Sequence, residues 1–148
     1  MPIPTFNADG LLPPGVHDCT LEEIKYRFGT FKQSDQRPRL FNSLVEMIGD
    51  VHRSALFASV IVDGSFTTSV AEPNDIDLLL VLHSNHDWQH EPLAEEYNVL
   101  SRRRIRGRYK FDAFLAVEDD ESFHGLVEFF GRVRDTPGVR KGMLRIKL

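Results

Sequence analysis

Two aspartates one residue apart, Asp75 and Asp77, run straight into the apolar stretch Leu78, Leu79, Leu80, Val81 and Leu82. Residues two apart on a strand project to the same side, so the two acids point together while Ile76 and Leu78 enter the core. An acid heading a buried strand needs a partner, because its carboxylate loses hydration there. The two carboxylates also repel each other unless positive charge lies between them. A divalent cation supplies that charge, and magnesium takes few carboxylates together with waters and phosphate oxygens. The competing reading is a turn built on Pro73, Asn74 and Asp75. It explains Asp75 alone and leaves Asp77 unexplained.

Upstream, residues 56–63 form a β-branched apolar run ending at Gly64, which predicts a buried strand and a sharp turn. Gly64 lets a phosphate approach the backbone, and Ser65 adds a hydroxyl and an amide at a helix start, where the dipole favours anions. Residues 65–72 are long enough for about two helical turns, so the two strands need not form a tight hairpin. Phe66, beside Ser65, is the aromatic placed for contact with a nucleobase, whereas Trp88, Tyr97 and the other phenylalanines read as core.

The remaining elements follow from spacing. Thr20 and Glu23 match a capping box before Leu21, Ile24 and Phe28, giving a short helix that ends near Gly29. Pro38 suits the first turn of a second helix, with Leu40, Phe41, Leu44, Val45, Ile48 and Val51 as its apolar stripe. A helix from about Asp87 to Leu100, a strand over 109–117 containing Asp112, a helix over 123–130 interrupted by Gly125, and a half-exposed strand over 143–148 complete the chain. The prolines before Gly15 make residues 1–17 an extended arm. The expectation is one domain over 1–148 with an α/β fold, a mixed, mostly antiparallel sheet and helices packed mainly on one face.

The formal charge of -4 argues against a protein that coats nucleic acid non-specifically. One cysteine, Cys19, can form neither an internal disulfide nor a thiolate metal site, so the chain reads as reduced and cytoplasmic. The N-terminus lacks the basic start and apolar run of a secretory signal, and no apolar run is long enough to span a bilayer as a helix, so no membrane partner is expected.

The order glycine-serine, short gap, aspartate-hydrophobic-aspartate resembles the signature of the polymerase-beta-like nucleotidyltransferase superfamily. The whole chain also looks like an uncharacterised family of small stand-alone proteins of that superfamily, through LLPPGVHDCTLEEI, DGSF, PNDID and KGMLRIKL. The resemblance implies that Asp75 and Asp77 hold magnesium or manganese, that Gly64 and Ser65 bind nucleotide phosphates, and that a third carboxylate on a later strand completes the site. Asp112, alone among Phe111 and Ala113, is the matching acid; its other reading is a partner for a nearby arginine. The implied reaction moves a nucleoside monophosphate from a nucleoside triphosphate to a hydroxyl on RNA, protein or a small molecule. The segment RRRIRGR, with Arg104 and Arg106, either grips phosphates or forms a solvated basic face. No large primer-binding domain is evident, which weighs against polymerisation. The alternative is a non-catalytic module that keeps the fold and binds a small partner protein, as half of a toxin-antitoxin or defence pair.

Other chemistries fit less well. His86 and His90 share a helical spacing suited to zinc but lack a cysteine or a metalloprotease glutamate nearby. Gly64 and Ser65 lack the second glycine of a nucleophile elbow, and the glycine-rich phosphate loop with its lysine is absent.

Overall fold

Thr20 accepts from the amide of Glu23 while the Glu23 carboxylate accepts from the amide of Thr20, and this reciprocal cap starts α1 (Leu21–Phe28). In the computed structural model, which describes residues 3–148, a strand β1 (Gly15–Asp18) precedes that helix. The chain continues through α2 (Gln36–Ser54), β2 (Phe57–Asp63), β3 (Asp77–Leu82), α3 (Tyr97–Leu100), α4 (Arg102–Tyr109), β4 (Asp112–Val117), α5 (Glu121–Phe130) and β5 (Gly142–Lys147).

The strands form one sheet in the order β1-β5-β2-β3-β4. β2 pairs antiparallel with β3 and β5, whereas β1 pairs parallel with β5 and β4 pairs parallel with β3. The sheet is therefore mixed in equal parts rather than mostly antiparallel. Each parallel pair is joined by a connection that carries helices, as parallel pairing requires.

Alternation along the central strands splits the core in two. Val60, Val62, Leu78 and Leu80 face a large cluster with Ile24, Phe41, Leu44, Met47, Val51 and Ile105, so α1, α2, α3 and α4 cover that side. Ile61, Leu79 and Val81 face a smaller cluster with Phe130, which α5 covers on the other side. Both faces of β2 and β3 are thus covered, which is why these strands read as continuous apolar runs. Among the described residues no helix is long and apolar enough to cross a membrane.

Several expectations need correction. The extended arm ends in a strand, residues 15–18, that pairs with β5; residues 1 and 2 lie outside the described residues. That pairing makes β5 an interior strand with Met143, Leu144 and Ile146 buried, rather than a half-exposed one. Residues 65–72 form only a 3-10 turn over Ser65–Thr67, because the Ser69 amide donates to the Gly10 carbonyl and the Val70 amide to the Thr68 hydroxyl instead of to carbonyls four residues back. The helix expected from Asp87 begins only at a 3-10 turn over Ala94–Glu96, after Pro92. Tyr109 closes α4 instead of opening a strand, and α5 runs through Gly125 without a break. Val45, expected in the apolar stripe of α2, is 41% exposed, and Met47 is buried in its place.

Candidate active site

Antiparallel pairing of β2 with β3 puts Asp63 opposite Asp77, and parallel pairing of β3 with β4 puts Asp77 opposite Asp112. Three acids thus stand in one row across three adjacent strands. All three share the α5 side of the sheet by strand alternation, with Ile61, Leu79 and Phe114 as their neighbours two residues along. Nothing in a single strand reveals this row, because it depends on register.

Asp75 lies just before β3 and is tied to the turn after β2. Its Oδ1 accepts from the Ser65 amide at 3.2 Å and from the Ser65 hydroxyl at 2.8 Å. The same hydroxyl accepts from the amides of Asn74 and Asp75, at 3.0 and 3.3 Å. Ser65 therefore orients Asp75 and closes the loop between the strands. Gly64 makes this approach feasible: its φ is +94°, and a Cβ there would lie 3.0 Å from the Asp77 amide nitrogen and 3.2 Å from Asp75 Oδ1.

These residues open into a cleft of about 490 Å³ that also meets Asp9, Arg134 and Lys141. Lys141 Nζ lies 3.1 Å from Asp63 Oδ1, and both side chains are largely buried. The contact lacks hydrogen-bond alignment, so Asp63 Oδ1 has no hydrogen-bond donor among the described residues. Burial pushes the Asp63 carboxyl above its ordinary range, and Lys141 opposes that shift. Asp77 is pushed up to about 6, first by burial and then by the charges of Asp75, Asp63 and Asp112.

The site is short of positive charge, and hard carboxylate oxygens are the groups that magnesium or manganese binds. Among the described residues no three His, Cys, Asp or Glu side chains converge closely enough to cage a metal ion unaided. A two-carboxylate site completed by water and substrate phosphate has no need of such a cage, and Asp75 with Asp77 fits that mode.

The other expected residues are spread more widely. Asp112 is at the exposed end of the row and is paired with Arg106 Nη1 at 3.0 Å, the partnership its alternative reading expects. Arg104 donates to the Ala94 carbonyl and lies over the Tyr97 ring, away from the residues lining the cleft. Phe66 is fully buried against Phe28 and Arg37 and offers no face to a base; it anchors the turn instead. His90 meets Glu96 and His86 stacks edge-on against Trp88.

Sequence reasoning missed Asp63, Lys141, Arg134 and Asp9. Asp63 carried the same signal as Asp77, an acid at the end of an apolar strand, but was read only as the last residue of that strand. Lys141 and Arg134 come from the segment between α5 and β5 and reach the site only because β5 inserts beside β2.

The chain belongs to a family of unknown function, DUF6932, whose model matches residues 4–147. No curated protein and no solved structure matches it.

Proposed function

We propose that this chain is a metal-dependent nucleotidyltransferase with the polymerase-beta-like nucleotidyltransferase fold. The observation that carries the reading is the acid row of Asp63, Asp77 and Asp112 beside a glycine-serine turn locked onto Asp75. Asp75 and Asp77 would hold magnesium or manganese, with Asp112 as the third acid. Such an ion neutralises the triphosphate and polarises the phosphorus under attack.

The chain's own groups do the rest. Ser65 fixes the Asp75 carboxylate, and Gly64 leaves room for a phosphate at the backbone. Lys141 and Arg134 place positive charge along the cleft for the triphosphate tail, a role expected of Arg104 and Arg106. Asp112, the most open of the acids, accepts the proton of the acceptor hydroxyl. The acceptor oxygen bonds to the alpha phosphorus while the bond to pyrophosphate breaks, and charge neutralisation with positioning supplies most of the rate. The acceptor is a hydroxyl on RNA, protein or a small molecule.

The Arg106–Asp112 pair favours a second reading, a non-catalytic module that binds a small partner protein as in a toxin-antitoxin or defence pair. Thermal stabilisation separates the two. Under the first reading a nucleoside triphosphate with magnesium or manganese raises the melting temperature of the wild type and leaves Asp77→Ala unmoved. No shift with any nucleotide in the wild type favours the second.

A further inference from the structure

Arg37, in the first turn of α2, is only 2% exposed. Its Nη1 donates to the carbonyls of Phe28 and Phe66, at 3.3 and 2.7 Å, and its Nη2 donates to that of Thr68 at 2.7 Å and to that of Val70. No carboxylate pairs with it among the described residues. Its Nε has no hydrogen-bond partner among them either. The guanidinium also lies 5.9 Å from the centre of the Phe28 ring and 5.5 Å from that of Phe66.

A buried cation without a counter-charge costs several kcal/mol, so a leucine would suit a purely packing role better. What the guanidinium does instead is gather three alternate carbonyls of one loop. That loop begins at the Gly64–Ser65 turn, has little regular structure and ends at Asp75. Its outer side is fastened by Ser69 donating to the Gly10 carbonyl at 3.0 Å, and its ends by Ser65 bonding to Asp75. Towards α2 it is fastened by Arg37, with the buried Phe66 ring packed beside the guanidinium.

We propose that Arg37 is a positioning residue of the candidate site: by spanning the Phe66, Thr68 and Val70 carbonyls it holds the loop in the shape that presents Ser65 and Asp75 to a bound nucleotide. The proposal rests on the nucleotide-binding reading of the cleft. A planar fork with several donors suits carbonyls fanned along a loop, whereas the single ammonium of a lysine cannot span them.

The test compares wild type with Arg37→Lys and Arg37→Met, using amide hydrogen exchange across the whole chain and titration with ATP and the other nucleoside triphosphates in magnesium. In both variants exchange at residues 66–69 rises about tenfold or more while β2 and β3 keep their protection. The nucleotide Kd rises about tenfold in parallel, and KM rises with it while kcat holds within about threefold. Should Arg37→Met fail to fold, Arg37→Lys decides. Unchanged loop exchange, or a rise spread evenly through β2 and β3, overturns the proposal. A wild type that binds no nucleotide overturns the functional reading instead, and the loop exchange still decides the positioning.

Discussion

Replacing Asp77 with asparagine should make the protein more stable at neutral pH. In the folded chain Asp77 holds its proton to about pH 6, against 3.8 for an ordinary aspartate. The folded state therefore binds that proton more tightly than the unfolded chain, so stability falls as pH rises from about 4 to about 6 and the full penalty is present above that. At 1.36 kcal/mol per pKa unit, the full gap amounts to about 3 kcal/mol. Asp77 is still partly open to water, and screening reduces this to about 1–2 kcal/mol. For a chain of this size Asp77→Asn should raise the melting temperature by roughly 3–6 °C. The assay is thermal unfolding in a chelator at about pH 7.5 and again at about pH 4, where the wild-type group is protonated and the difference should vanish. Added magnesium should raise the wild-type midpoint and leave that of Asp77→Asn in place. A variant no more stable than wild type at pH 7.5, or an advantage that persists at pH 4, refutes the reasoning.

Three further substitutions probe the site's construction. Gly64→Ala forces a Cβ to within 3.0 Å of the Asp77 amide nitrogen at a φ of +94°; a loss of about 1–3 kcal/mol in chemical denaturation is expected, with nucleotide binding abolished. Lys141→Met leaves Asp63 buried beside no cation and should cost about 3–5 kcal/mol, much of it recovered in the double variant with Asp63→Asn. Arg106→Ala breaks a pair whose side chains are 60% and 51% exposed, so stability should move by less than about 1 kcal/mol. The same variant frees Asp112, and measured transfer should hold or rise rather than fall.

How much of this was legible beforehand differs between local and long-range features. The capping box of α1 and the two central strands rest on short spacings, and the structure contains each of them; Asp75 and Asp77 line one cleft, although Asp75 precedes β3. The row linking Asp63 to Asp77 and Asp112 was not legible, because register is fixed by pairing partners far apart in the chain. α4 was hidden by its charge: only Ile105 and Tyr109 face the core from a segment that is otherwise arginine-rich and contains Gly107. Phe66 was misread for the opposite reason. Its place beside Ser65 suggested a ligand contact, but its ring turns inward to hold the loop against Phe28 and Arg37. Arg37 itself gave no signal, since a lone arginine in a helix is ordinarily solvated.

The most direct test of nucleotidyl transfer uses each nucleoside triphosphate labelled at the alpha phosphate, with magnesium or manganese, in the presence of total RNA and cell lysate. The account predicts that label moves to an acceptor with the wild-type protein and not with Asp75→Ala, Asp77→Ala, and that pyrophosphate is released. Absence of transfer with every nucleotide and acceptor, from protein shown to be folded, would contradict it.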